Sequence, residues 1–595
     1  MPKLSSGPAG FISVGRAEVR VEHAGWTVCI DAPVSRSRGD NLVSDVRRLV
    51  AILQTGDPSK IDRGFFEALF GGHFAAIAHD RNQGRIYVLR DVAGAKTIYH
   101  ATNNETLFVG NVQSELAQAL PNAQICLQSA RVMMALDYYL DGTTQYSQIS
   151  EVPMGTVMAS NSERALATYA QFDLSLCHDE NGMSQSCNAR LLRDGILKAH
   201  ENRVGSDNIV LLSGGIDSSV MLAALRAIVN PSRLRAVSFK VKGTSEDETV
   251  YSARLAKALD VPIEVIEVDP MDEAHFAHFE DDLEAMNNPY VGRFIYGNLQ
   301  GGPDSVFFAG QDTRLHTPDL NRLDQFAFSL LPLQRGRITR SIARSLVALM
   351  LAPITAIDGK YAEAPRWRRG LHRAALAPDL ELYVQRFLFN IDEGRLSELG
   401  IDDESAEKCV KSVAVDCSSA GNARDLYNQI VARRWLTQWT DDMRYLQDLG
   451  RLNGTHVALP FYDVALARLS SGLPMKQTTR FVEGKGKFDT SRTRVNKALL
   501  REAFSSELPL DLLMRAKAVS RTQHLMYSGV MGRKIRGILA ADLMRGTDGV
   551  VSRLGVTDYV GSFISMNRYR PEDEAFLGRV FRIAALVNAG RKYDS

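Results

Sequence analysis

The 595-residue chain has no excess of either charge: 70 Lys plus Arg stand against 69 Asp plus Glu, a formal net charge of +1. That balance removes any global argument for a nucleic-acid or membrane-surface partner. Cysteine is scarce and scattered. The six, Cys29, Cys126, Cys177, Cys187, Cys409 and Cys417, include no CxxC pair of a zinc site and lack the density of a disulfide scaffold, so a reducing, cytoplasmic setting is expected. Long apolar runs are missing too. The most apolar stretch, Leu346 to Ile357, is about half the length that spans a bilayer and contains Pro353, so no transmembrane segment is expected. Met1 to Arg20 mixes charges and glycines without the apolar core of a signal peptide. Neither repeats nor low-complexity tracts occur.

The length exceeds what one hydrophobic core supports, so two domains with an insertion are expected. From Gly10 to about Tyr169, short apolar runs such as Thr27 to Ile30, Phe74 to Ala78 and Arg85 to Leu89 alternate with turn residues, which reads as a strand-rich domain over 1–175. A polar stretch, 170–187, reads as a linker. A second domain follows over 188–595 with a β-α-β rhythm: strand Asn208 to Leu212, helix Ser218 to Val229, strand Arg235 to Phe239, helix Asp247 to Leu259 and strand Ile263 to Val268. A further strand, Ser305 to Ala309, is expected, and the chain beyond Asp319 reads as mainly helical, with 320–430 as an insertion. The class is therefore α/β, a doubly wound parallel sheet with its ligand site at the carboxyl ends of the strands.

Between the first of these strands and its helix stands Ser213-Gly214-Gly215-Ile216-Asp217-Ser218-Ser219. Two glycines permit a tight turn with exposed N–H groups, the serines add donors, and the helix N-terminus favours an anion. An aspartate cannot hold phosphate, so Asp217 is assigned to Mg²⁺. The plain alternative is a glycine turn with a capping serine, but the strand-turn-helix context favours the phosphate cradle. The string resembles the pyrophosphate-binding loop of N-type ATP pyrophosphatases. It lacks the lysine of the GxxxxGK[ST] loop, which implies nucleotidyl transfer to a carboxylate.

From Asn208 to about Arg521 the chain resembles the synthetase domain of asparagine synthetases and β-lactam synthetases. The resemblance implies ATP and Mg²⁺ as cofactors. It makes Val237 to Val241, with Leu212 alongside, the adenine-holding strands, and places Gly310 and Asp312 in a second carboxylate loop, Asp312 being the second metal ligand. Leu459-Pro460-Phe461-Tyr462-Asp463 resembles the family's PFLD-like string and is assigned a structural role. Leu499 to Phe504, then Leu508-Pro509 and Arg515-Ala516-Lys517, resembles the closing segment that carries the catalytic lysine, here Lys517. Its ammonium would offset charge developing during adenylation and amine attack; without the resemblance it reads as a surface lysine.

Gly71 to Asp80 and Arg90 to Gly94 resemble the GxFAFxxxD and RDxxG strings of class II glutamine amidotransferases, an Ntn-type fold. Those enzymes use a cysteine whose freed α-amine is the base. Position 2 is Pro2, and Cys29 sits in an apolar strand pattern, so this domain is expected to be inactive and the amine to come from the substrate. The tyrosine-glutamate dyad of β-lactam synthetases is not matched. Phe307, Phe308 and Ala309 occupy the tyrosine's neighbourhood, and Arg444 the glutamate's.

Gly310 to Pro318, GQDTRLHTP, resembles a string of lasso-peptide cyclases. That resemblance implies adenylation of an Asp or Glu side chain in a core peptide and attack by its N-terminal amine. It also implies a leader-peptide-binding protein and a leader protease as partners. Arg314 and His316 are candidate substrate-side groups, with loop stabilisation as the alternative. The arginine cluster Arg335 to Arg373, with Trp367, either docks a partner or forms a solvated helix face. A small-molecule amide or β-lactam-type synthetase using a substrate amine or ammonia is the rival function.

Overall fold

The computed structural model describes residues 11–14, 19–32, 39–103, 106–161, 165–244, 247–297, 305–310, 403–415, 419–478, 480–483, 492–495, 497–515 and 522–593, with isolated positions between, among them His316.

Strand alternation builds the first domain. A four-stranded sheet has the order β1 (Phe11–Val14), β7 (Thr106–Gly110), β6 (Tyr99–Asn103), β8 (Ser150–Glu151). An antiparallel six-stranded sheet runs β10 (Leu166–Gln171), β9 (Thr156–Ser160), β5 (Arg85–Arg90), β4 (Ala75–Asp80), β3 (Trp26–Asp31), β2 (Val19–His23). Because side chains alternate along a strand, Cys29, Ile77, Val88 and Met158 face inward, clustering with Leu107 and Val109 of the other sheet. Val28, Ile30, Ala76, Ala78 and Leu89 point the opposite way, against Val46, Leu49 and Val50 of α1 (Gly39–Gln54). On the far side, α3 (Gln113–Ala119) and α4 (Leu127–Leu136) cover Tyr99, Ala101 and Phe108. The layers are helix, sheet, sheet, helix. A short helix, α2 (Arg63–Ala68), completes the side of α1, its first turn capped by Asp62, which accepts from the Phe65 N–H at 2.9 Å.

The stretch 170–187 is no free linker. It is fastened to the second domain: the Cys177 N–H donates to Ser471 Oγ (2.8 Å), the Asn181 N–H to the Gly472 carbonyl (2.7 Å), and His178 pairs with Asp425 (3.0 Å). The second domain then opens on α5 (Gln185–Glu201), capped by Ser184.

Its sheet is fully parallel, in the order β13 (Ile263–Val268), β12 (Leu234–Val241), β11 (Asp207–Leu211), β14 (Ser305–Phe308), β15 (His456–Ala458). The sequence reading placed the first four of these strands within two residues at each end and missed β15. Ile209, Val237, Phe307 and Val457 face one side; Val210, Ala236, Val306, Phe308 and Ala458 face the other, under α5, α6 (Ile216–Ile228) and α7 (Thr249–Ala258). The chain moves outward through β11, β12 and β13 and returns to β14 on the opposite side of β11, so strand order reverses between β11 and β14. That reversal creates a crevice at their carboxyl ends.

Helices α8 (Phe279–Ala285) and α9 (Gly292–Tyr296) precede β14. Further on come α10 (Ala423–Arg434), α11 (Thr440–Leu452), α12 (Val464–Ser471), α13 (Ala498–Ala503), α14 (Gln523–Tyr527), α15 (Val530–Leu543) and α16 (Glu574–Tyr593). An antiparallel pair of strands, Arg480–Glu483 and Arg492–Val495, interrupts the expected run of helices. Most of 320–430 and the arginine cluster lie outside the described residues. Among the described residues no helix is long and apolar enough to cross a membrane.

Candidate active site

The phosphate-loop string occupies the turn from β11 into α6, as its glycines and serines required. Gly214 has φ +70, and a Cβ there would stand 3.0 Å from Tyr251 Cβ and 3.3 Å from the Ser252 amide nitrogen. Glycine is thus needed for the backbone angle and for the close approach of α7. The serine hydroxyls do a different job from the one expected. Ser218 Oγ donates to the Gly215 carbonyl (3.1 Å) and accepts from the Ser213 N–H (3.2 Å), while Ser219 Oγ donates to the same carbonyl (2.8 Å). They brace the turn, leaving the first-turn N–H groups of α6, which have no partner within the helix, as donors an anion could use.

The second loop reaches the same place. A Cβ on Gly310 would stand 3.1 Å from the Ser218 amide nitrogen and 3.2 Å from the Asp217 carbonyl carbon, so the chain leaving β14 lies directly on the start of α6. Asp312, two residues on, lies outside the described residues, as do Arg314 and Lys517.

Among the described residues two cations flank the loop, and sequence reasoning named neither as a site residue. Lys497 Nζ donates to both carboxylate oxygens of Asp217, at 2.6 and 2.7 Å. Its side chain is 11% exposed and that of Asp217 22%, so both border the crevice without being sealed from it. Lys497 holds a left-handed backbone angle, φ 53, at the head of α13. Arg515 lies on the other flank. Its guanidinium is 3.5 Å from the centroid of the Tyr251 ring, donates to the Gly214 carbonyl (3.3 Å) and pairs with Glu248 (3.3 Å). A signal existed for Lys497: it stands one turn before Arg501 in the closing string already singled out.

Two sequence-based assignments are narrowed: His316 to the loop-stabilising alternative, and the adenine strands to their backbone. His316 is fully buried, with Nε2 2.7 Å from the Phe461 carbonyl and Nδ1 2.7 Å from Ser470 Oγ, and burial lowers its pKa to about 4. It is a neutral strut under the PFLD-like string and has no exposed face for a substrate. Leu212 and Val241, each 2% exposed, bury their side chains in the core, so at an adenine site they would offer backbone groups. Leu212 already accepts from Ser252 Oγ at 3.0 Å.

For Mg²⁺, the described residues present one hard oxygen donor at the loop, the Asp217 carboxylate, and no cluster of three metal-ligating side chains. That suits a cation held by one or two carboxylates plus substrate phosphates, and not a dedicated protein cage.

Residues 192–297 match the asparagine synthase family model. The matched interval runs from within α5 through β11, the loop, α6, β12, α7 and β13 and ends before β14, so the family signal covers the β11 side of the crevice. Over 219 residues the chain is 23% identical to asparagine synthetase (glutamine-hydrolyzing) 1 of Bacillus subtilis (strain 168), covering 36% of this chain and 34% of the relative. The chain thus spans about a third of the curated relative's length. Among solved structures, the glutamine-dependent NAD+ synthetase from Acinetobacter baumannii in complex with ADP aligns at 14% identity over 48% of this chain and 58% of that one, with a TM-score of 0.18. At that score the likeness carries no argument.

Motifs of the first domain are also placed. Asp91 is buried, accepting from the N–H groups of Phe74, Ala95 and Lys96, and burial raises its pKa to about 6. Arg90 pairs with Glu151 (2.9 Å), which pairs in turn with Arg444 of α11 (2.6 Å). Arg444, aligned in the sequence reading with a catalytic glutamate, is therefore a buried strut between the domains. His73 accepts from Arg203 Nε at Nδ1 (3.2 Å), its Nε2 donates to the Tyr462 carbonyl (3.2 Å), and Arg203 pairs with Asp463 (3.0 Å). A cavity of about 400 Å³ lies along this seam, lined in part by Asp45, Glu67, Asn202 and Asp463. No residue of the phosphate loop lines it, so it is separate from the crevice.

Proposed function

We propose that the chain is an ATP-dependent, AMP-forming amide ligase whose crevice between β11 and β14 activates a carboxylate as its adenylate. The observation that carries this is the meeting of the two loops. Gly310 packs on the first turn of α6, where helix N–H groups, Asp217 and Lys497 converge on one point. Helix N–H groups would hold the departing pyrophosphate. Lys497 and Arg515 would balance its charge, and Asp217 with Asp312 would hold Mg²⁺, which supplies electrostatic stabilisation of the polyphosphate when bound. Lys517 would serve the α-phosphate from the closing segment.

The first domain is read as an amidotransferase-like body without glutaminase activity. Cys29 supports that: it faces the inter-sheet core, 5% exposed, and burial pushes its thiol pKa up, the opposite of an activated nucleophile. The amine then belongs to the acceptor substrate. The finer reading is ring closure in a lasso peptide, an Asp or Glu side chain joined to the N-terminal amine of the same core peptide, with the leader-binding protein and protease as partners. Its support is the GQDTRLHTP string, which continues from Gly310 at the crevice.

Incubation with ATP, Mg²⁺ and synthetic core peptides carrying one internal acidic residue tests both levels. Expected are AMP and pyrophosphate, with a peptide product lighter by one water. ADP and phosphate would overturn the adenylate reading. AMP formation with aspartate and ammonia, but with no peptide, would overturn the lasso reading and leave the ligase.

A further inference from the structure

In the crevice, charge builds late. As a carboxylate oxygen bonds to the α-phosphorus, the bond from that phosphorus to the β-bridging oxygen breaks, its electron pair leaves with pyrophosphate, and negative charge accumulates there. A cation helps most if it stands at the loop before that moment and is not already neutralised. Lys497 is tightly neutralised, its ammonium 2.6 and 2.7 Å from the two carboxylate oxygens of Asp217. Arg515 is held in another way.

Glu248 is the N-cap residue of α7 and Tyr251 lies three positions on, so both side chains leave the helix on one face. The backbone of that first turn touches the phosphate loop: a Cβ on Gly214 would stand 3.0 Å from Tyr251 Cβ and 3.4 Å from the Glu248 carbonyl oxygen. Its side chains receive Arg515. One turn further along α7, Arg254 pairs with Asp511 of the short helix Leu510–Leu513, which sets the path by which the chain reaches Arg515. Of the five N–H donors in a guanidinium, Nη1 gives one to the Gly214 carbonyl and Nη2 one to Glu248, each at 3.3 Å. Both are long for N–H···O bonds. The contact with Tyr251 is the close one, Cζ standing 3.5 Å from the ring centroid. An aromatic face attracts a cation without cancelling its charge.

We propose that Tyr251 is a positioning residue for pyrophosphate departure: its ring is the platform that keeps the Arg515 guanidinium at Gly214 while Arg515 exchanges Glu248 for a pyrophosphate oxygen. This rests on the acyl-adenylate reading. The two long hydrogen bonds yield more readily than the stacked face, so the guanidinium can turn on the ring without leaving the loop. Glu248 is 23% exposed, and water can take the place of the arginine beside it. A planar guanidinium suits such a platform, and the compact ammonium of a lysine does not.

The test measures AMP release by the full-length protein with ATP, Mg²⁺ and a synthetic core peptide. A second measurement, isothermal titration with pyrophosphate and Mg²⁺, needs no turnover. Tyr251→Leu keeps the Cβ that meets Gly214 and removes the ring. It should lower kcat about 10-fold and weaken pyrophosphate binding about 10-fold, with KM for the peptide unchanged. Tyr251→Phe, which restores the ring face, should rescue both. Because Tyr251 acts through Arg515, adding Tyr251→Leu to Arg515→Met should cost little beyond Arg515→Met alone. Fully additive losses, a Tyr251→Phe no better than Tyr251→Leu, or a Tyr251→Leu equal to the parent overturns the assignment. Should Tyr251→Leu fail to fold, Arg515→Lys decides: it keeps the charge and gives up the flat stack, so a loss of about 10-fold supports the platform and full activity overturns it. If the parent releases no AMP, the adenylate reading fails. The titration then judges Tyr251 alone, and either no saturation in the parent or equal affinity in parent and Tyr251→Leu sinks it.

Discussion

The domain seam and the crevice use the same kinds of residue to opposite ends. At the seam, Arg444, Glu151 and Arg90 are at most 8% exposed and bonded to one another. At the crevice, Lys497 on Asp217 and Arg515 on Glu248 are pairs with side chains 11 to 23% exposed. A fully buried ion pair resists change because removing one partner strands the other charge in a low dielectric. A half-exposed pair beside exposed helix N–H groups can trade its partner for a ligand phosphate. The difference separates what holds the two domains together from what can act on a substrate.

The comparison breaks most readily at Asp217. Asp217→Asn should lower adenylate formation by about 10²- to 10³-fold while the urea midpoint stays close to that of the parent; a large fall in stability would place Asp217 with the seam. Arg444→Met is the converse. It leaves Glu151 with Arg90 alone and takes the guanidinium from buried Asp441, and should cost about 3–5 kcal/mol of folding stability, read from urea denaturation; a loss of activity without loss of stability would move Arg444 into the crevice.

Acid should act on the struts next. Besides His316 there is His200 of α5, fully buried with Nδ1 2.7 Å from the Ile196 carbonyl, and burial lowers the pKa of each from 6.5 to about 4. The unfolded chain takes up protons as the pH falls through 6.5, but the folded histidines do so only near 4. Stability is therefore full above 6.5 and declines between 6.5 and 4, by up to about 3 kcal/mol per histidine. A denaturation midpoint that is flat between pH 7 and 4.5 would contradict this, and His316→Gln should make that limb shallower. The smallest effect is expected at Gly310→Ala. The added methyl would stand 3.0 Å from Met221 Cε and 3.1 Å from the Ser218 amide nitrogen, so ATP affinity should fall about 10-fold, near 1.4 kcal/mol, by isothermal titration, with a loss of folding stability of about 1 kcal/mol.

These contrasts also explain what was readable in the sequence. The strand-loop-helix of residues 207–228 is local: alternation, two glycines and an apolar helix lie within a few turns of chain, so the loop and the elements on either side of it could be stated in advance. β15 could not be, because three residues between helices carry too little periodicity. The pairing of Arg444 with Glu151 joins residues 293 apart, and nothing in either neighbourhood announces it. For His316 the choice between substrate contact and loop stabilisation stayed open for a related reason. A histidine in a chemically suggestive string looks reactive, and only packing shows both ring nitrogens already spent on Ser470 and Phe461.

The central claim is that a carboxylate oxygen displaces pyrophosphate in the crevice bordered by Asp217 and Gly310. Its most direct test is to label the substrate carboxylate with ¹⁸O and examine the nucleotide after turnover. Label in the phosphate of AMP is the predicted result. Label in inorganic phosphate, accompanied by ADP, would contradict the account.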